Sequence, residues 1–111
     1  MNKQIEVGFG TEKLKKEFES LKNGKFEDKK LREFLERAIV DLKNNPLCGA
    51  KIPQNLWPRE YCKKFNINNL RKYDLPDGWR LIYTIKINEV EILAVFLEWF
   101  NHKDYERRFG Y

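Results

Sequence analysis

Two apolar strand patterns separated by a two-residue turn set the strongest constraint on this chain. In residues 79–87, Trp79, Leu81, Tyr83, Ile85 and Ile87 share one face, while Arg80, Ile82, Thr84 and Lys86 share the other. After a tight turn at Asn88-Glu89, residues 90–100 are apolar at nearly every position. Period-two alternation gives a strand two distinct faces, whereas a strand apolar on both sides needs cover above and below. Residues 90–100 are therefore expected at the centre of a sheet, with residues 79–87 beside them.

The rest of the chain supplies partners for that hairpin. Ile5, Val7 and Phe9 alternate with Gln4, Glu6 and Gly8, the pattern of a half-buried strand. Thr11 is suited to cap a helix whose inner face is Leu14, Phe18 and Leu21, ending at Asn23-Gly24. A second helix is expected after Asp28 as cap, with Leu31, Phe34, Leu35, Ala38, Ile39 and Leu42 inward, and Pro46 stops it. Residues 44–69 read as a long loop broken by Pro46, Pro53 and Pro58. A strand at 70–75 then leads through Pro76-Asp77-Gly78, strong turn chemistry, into the hairpin. Asn101 is placed to cap a short terminal helix. The expected class is α+β: one domain, 1–111, ordered strand-helix-helix-strand-strand-strand plus a short C-terminal helix, with a mostly antiparallel sheet and two helices on one face.

Bulk properties narrow the function classes. The longest apolar run, 92–97, is far too short to span a membrane, and the first residues lack the apolar core of a signal peptide, so a cytoplasmic protein is expected. Cys48 and Cys62 stand 14 positions apart and match neither a zinc pair nor a redox Cys-x-x-Cys, which points to buried free thiols and to no metal or cofactor. The formal charge is +5, unevenly spread. Residues 1–45 carry 11 Lys+Arg against 9 Asp+Glu, residues 46–88 carry 8 against 3, and residues 89–111 carry 3 against 5. The basic excess in the middle favours a polyanionic partner. Lys51, Arg59, Lys63 and Lys64 lie there beside Trp57, Tyr61 and Phe65, which would either stack on bases or pin the loop to the core.

The chemistry-bearing residues cluster near the end of the chain. Arg80 opens the middle strand, and His102 and Tyr105 follow the last one at a spacing that places them on neighbouring positions of a helix. Arginine grips phosphate bidentately, histidine moves a proton near neutrality, and a phenol donates to an oxygen. Together they suit cleavage of a phosphodiester without a metal. Each also has a plainer role: Arg80 can pair with Asp74 or Glu98, and Tyr105 can cover the sheet edge.

The element order, the segment Leu70-Arg71-Lys72-Tyr73-Asp74-Leu75-Pro76-Asp77-Gly78-Trp79-Arg80-Leu81-Ile82-Tyr83 and the ending His102-Lys103-Asp104-Tyr105-Glu106-Arg107 resemble the RelE/ParE superfamily of type II toxins. The resemblance covers essentially the whole chain and implies a RelE-like fold. It implies a ribosome-dependent mRNA endoribonuclease that inhibits translation, cutting by 2′-hydroxyl attack with no metal and no cofactor. Arg80 would stabilise the phosphate, and His102 and Tyr105 would serve as acid/base and positioning groups. Lys63, Lys64, Arg71, Lys72, Lys103, Arg107 and Arg108 would bind RNA. The base is left open between Tyr105, a lysine of lowered pKa, Glu60 and a ribosomal group; no second histidine is present. The implied partners are a cognate antitoxin, mRNA and the small ribosomal subunit. A toxin-antitoxin hetero-oligomer would contact operator DNA through the antitoxin. The alternatives are a ParE-like toxin acting on DNA gyrase without nuclease activity, and an inactive homologue kept for antitoxin or operator binding.

Overall fold

The computed structural model describes residues 3–110; Met1, Asn2 and Tyr111 of the expected 1–111 domain lie outside the described residues. Strands β1 (Gln4–Phe9), β2 (Ala50–Lys51), β3 (Arg71–Asp74), β4 (Arg80–Ile87) and β5 (Glu91–Phe100) form one sheet in the order β1-β5-β4-β3-β2. β1 runs parallel to β5, and the other pairings are antiparallel. The α+β class is as expected, and the strand apolar on both faces does lie inside the sheet. β2 is an addition, two residues long, drawn from the segment expected to be loop.

Four helices cover this sheet: α1 (Glu12–Ser20), α2 (Phe26–Asn44), α3 (Arg59–Phe65) and α4 (His102–Phe109). Thr11 caps α1, its hydroxyl accepting the Leu14 N–H at 3.0 Å. Asp28 is not the cap of α2. The helix starts at Phe26, and the Asp28 carboxylate reaches back to accept the Lys25 N–H at 3.1 Å. An acceptor three residues inside a helix satisfies an otherwise orphaned amide as well as one at the cap.

Helices α1 and α2 lie on one face as expected, and α3 and α4 cover the other. Leu14 and Phe18 of α1 and Leu31, Leu35, Ala38 and Leu42 of α2 pack with Leu81, Tyr83, Ala94 and Phe96 on one side of the sheet. Ile82, Val95 and Leu97 on the other side are covered by Tyr61 of α3 and by Tyr105 and Phe109 of α4. Helix α3 was hidden in sequence because three prolines precede it. Pro58 stands immediately ahead of its first residue, where proline is tolerated, and Asn66 ends it in the left-handed conformation (φ 50°). Its Tyr61 is 1% exposed, and Trp57 donates from Nε1 to the Ile52 carbonyl at 2.8 Å. These aromatics hold the segment to the core.

Two irregularities set the geometry near the future site. Ile82 pairs with Glu98 but Tyr83 pairs with Phe96, so β5 carries one extra residue at that point. A bulge of this kind sends Leu97 and Glu98 to the same side, the first into the core and the second toward α4. The turn at Pro76-Asp77-Gly78 forms as expected, with Asp77 at φ 59° and Gly78 at φ +79°. Both cysteines are free and, contrary to expectation, exposed. Partial burial and the nearby Asp41 carboxylate still push the Cys48 thiol up.

The chain leaving α2 is tied down by a buried phenol together with Arg71. Tyr83 Oη donates to the Pro46 carbonyl at 2.8 Å and accepts the Gly49 N–H at 3.0 Å, so closely that a β-carbon on Gly49 would come within 2.6 Å of it. Tyr73, by contrast, donates to Asp41 from a half-buried position, and its partial burial, followed by the Asp41 carboxylate, pushes its pKa up to about 12. Tyr83→Phe strands a buried amide and should destabilise by about 1–3 kcal/mol, whereas Tyr73→Phe should cost about 0.5–1.5 kcal/mol. Urea unfolding of the two variants measures the difference; equal costs would contradict the burial argument.

Candidate functional site

The site is built where the β3–β4 hairpin meets the start of α4. Strand alternation puts Lys72, Asp74 and Arg80 on the side of the sheet that α4 covers, with Asp74 directly opposite Arg80 in the ladder. Asp74 Oδ1 lies 3.0 Å from Arg80 Nε and 3.7 Å from Lys72 Nζ, so one carboxylate spaces two cations. Arg80 Nη1 also donates to the Trp79 carbonyl at 3.1 Å. The expected pairing of Arg80 with Asp74 is thus the one that forms, and Glu98 goes to Arg108 instead.

Tyr105 completes the cluster from α4. Its ring centroid is 5.7 Å from the Arg80 guanidinium carbon and 5.7 Å from Lys72 Nζ, within cation–π range of both. The ring is 4% exposed and rests on Phe109, with centroids 4.9 Å apart. Tyr105 is therefore a platform under two cations, turned inward and not outward beside His102.

His102 lies on the outer side of the same helix. Residues i and i+3 are about 60° apart around a helix, and here the edge between the buried and wet faces falls between them. Asn101 caps α4, its Oδ1 accepting the Asp104 N–H at 2.8 Å, which makes His102 the first helical residue. The imidazole side chain is 61% exposed, and its Nε2 meets Glu106 Oε1. Beneath it runs the β3–β4 turn: a β-carbon added to Gly78 would come within 3.1 Å of His102 Cβ. Glycine is needed there both for its positive φ and for this close approach.

The basic residues divide into exposed ones and ones committed to the structure. Lys63 and Lys64 are exposed on α3, and Lys103 is exposed on α4. Arg107 is exposed with Asp104 3.8 Å away. Arg71 points to the opposite side of the sheet from Lys72, donating to the carbonyls of Gly49 at 2.5 Å and Leu47 at 3.2 Å. Arg108 binds Glu60 through two 3.0 Å contacts and Glu98 at 3.4 Å. The Arg108 hydrogen bonds and charge hold the Glu60 carboxyl below its ordinary range and raise Arg108 in turn, while burial pushes the Tyr61 phenol up. Glu60, one of the candidate bases, is thus occupied. Glu106 was missed in sequence, although its spacing of four from His102 on a helix was the available signal. Among the described residues no group of three or more His, Cys, Asp or Glu side chains is arranged to hold a metal ion, and no helix is long and apolar enough to cross a membrane.

Comparison with known families gives one match: the family described as ParE toxin of type II toxin-antitoxin system, parDE, over residues 11–97. The chain belongs to this toxin family. Membership implies a cognate antitoxin as its partner. Neither a curated protein nor a solved structure matches the chain. The matched region holds Lys72, Asp74 and Arg80 and stops before α4, so it does not speak to His102 or Tyr105.

Placement of Tyr105 and His102 in the toxin separates their roles in stability. Tyr105→Ala removes a buried aromatic and should cost about 3–5 kcal/mol. His102→Ala, at an exposed position, should stay within about 0.5 kcal/mol of the parent. Denaturant unfolding checks both; a His102→Ala loss as large as that of Tyr105→Ala would refute this division.

Proposed function

We propose that the toxin is a metal-independent endoribonuclease that cuts mRNA on the ribosome and so stops translation. The observation that carries this reading is the convergence on one sheet end of Arg80 and Lys72, spaced by Asp74, with His102 seated on the adjoining turn through Gly78. Two fixed cations on a hairpin whose turn carries an exposed imidazole offer what phosphoryl chemistry without a metal asks for: charge stabilisation at the non-bridging oxygens and a proton for the leaving group.

In the proposed reaction the 2′-oxygen of the RNA bonds to the adjacent phosphorus and the bond from phosphorus to the 5′-oxygen breaks. Arg80 and Lys72 neutralise the charge on the non-bridging oxygens of the five-coordinate phosphorus. His102 gives its proton to the departing 5′-oxygen. With Nε2 against Glu106, Nδ1 is the imidazole nitrogen that faces the substrate. We assign the 2′-hydroxyl proton to a group of the ribosome, since Glu60 is bound by Arg108, Tyr105 is buried against the cations, and Lys72 serves as a cation. That assignment makes cleavage depend on the ribosome. Lys63, Lys64, Lys103 and Arg107 supply exposed positive charge on α3 and α4 for the RNA backbone. Tyr105 acts beneath the cations as their support.

A second reading has its own support. The matching family carries the ParE name and the match ends before α4, which fits a toxin that acts on DNA gyrase by contact. Under that reading His102 is incidental.

Arg80→Ala and His102→Ala should each slow single-turnover cleavage of ribosome-bound mRNA by about 100-fold or more. If both variants cut at the parent rate, the proposed chemistry fails. If the parent cuts no RNA but blocks gyrase supercoiling, and His102→Ala blocks it equally, the contact toxin is the right reading.

A further inference from the structure

The sequence reading placed Arg108 among the RNA-binding cations, yet its surroundings are intramolecular. Arg108 stands in the last turn of α4 and reaches two other elements at once. Its Nη1 and Nη2 lie 3.0 Å from the two oxygens of Glu60 at the start of α3, and Nη2 lies 3.4 Å from Glu98 on β5. The guanidinium carbon sits 5.4 Å from the centroid of the buried Tyr61 ring, and the side chain is only 26% exposed. Glu98 is within reach because the β-bulge at Leu97 sends it toward α4. A fork-shaped cation over an aromatic face, matched bidentately by a carboxylate, is the best-defined ion-pair geometry available to arginine.

We infer that Arg108 is a positioning residue for His102 and not a contact to RNA. The inference rests on the reading of His102 as the proton-transfer group. Helix α4 has eight residues, too few to be stable alone, so its seat depends on what its inner face and its end hold. Tyr105 and Phe109 supply the apolar seat. To that seat the bidentate pair adds a directional contact, which apolar packing lacks. The Glu60–Arg108–Glu98 link anchors the end of α4 opposite to His102, and the Gly78 contact locates the His102 end. With both ends held, the imidazole keeps one place over the β3–β4 turn.

The two roles for Arg108 predict opposite signs for one mild substitution. Glu60→Gln removes a carboxylate that is exposed on α3, so it is not expected to prevent folding. If Arg108 contacts RNA, deleting the competing carboxylate frees the cation, KM falls and cleavage improves. If Arg108 positions α4, kcat falls by about tenfold with KM little changed, because misplaced reacting groups cost rate and not affinity. The expected result is the second, together with faster amide hydrogen exchange in α4, unchanged exchange in β4, and the same loss in Arg108→Met, which keeps the stem over Tyr61. A fall in KM with kcat intact, or α4 exchange equal to the parent, would overturn the inference. If the parent toxin does not cleave RNA, the reading of His102 fails on its own, and the exchange measurement still decides whether Glu60 and Arg108 hold the helix.

Discussion

The burial of β5 on both faces is the constraint on which the rest of this toxin depends. A strand reading Ile92-Leu93-Ala94-Val95-Phe96-Leu97 cannot leave either side in water. On one side α1 and α2 supply the cover, by the amphipathic spacing that any pair of surface helices uses. On the other side the helical cover is the short α3 and the C-terminal α4, joined by Ile52, Trp57 and Leu70, and neither helix would persist without the strand beneath it. The need to cover the second face is therefore what brings α4, and with it His102 and Tyr105, down onto the strands that carry Lys72 and Arg80.

Much of this was legible in sequence, because each legible element announced itself by local chemistry. The period-two alternation of β4, the Pro76-Asp77-Gly78 turn, the caps at Thr11 and Asn101 and the stop near Pro46 all follow from residues within a few positions of one another. What was not legible depended on distant partners. Helix α3 is seven residues long and follows three prolines, so its helical tendency is weak until Tyr61 is buried under α4. The inward turn of Tyr105 is set by where the edge of the sheet ends, which spacing on a helix does not reveal. Cys48 and Cys62 are exposed because the segments that bear them turn other side chains inward, notably Tyr61 from α3.

The electrostatics follow the same division. Counted along the chain, residues 46–88 held a uniform basic excess. Folded, the basic residues of the whole chain separate into cations spent on the structure and cations left for a partner. Arg71 ties the chain that leaves α2 and Arg108 ties α4 to α3, while Lys63, Lys64 and Lys103 stay exposed. Lys72 and Arg80 are intermediate: held apart by Asp74, propped by Tyr105, and still close to the surface. Fixing two cations before a ligand arrives removes part of the reorganisation that binding a phosphate would otherwise require.

The central claim is that this sheet end promotes attack by the RNA's own 2′-hydroxyl. It is tested most directly by ribosomes programmed with an mRNA carrying a single 2′-deoxynucleotide on the 5′ side of the cut position. The proposed chemistry predicts that cutting at that phosphate is abolished, while the same message with ribose at that position is cut to a 2′,3′-cyclic phosphate and a 5′-hydroxyl. Cutting of the deoxy-substituted message at an unchanged rate, or ends bearing a 5′-phosphate, would contradict it.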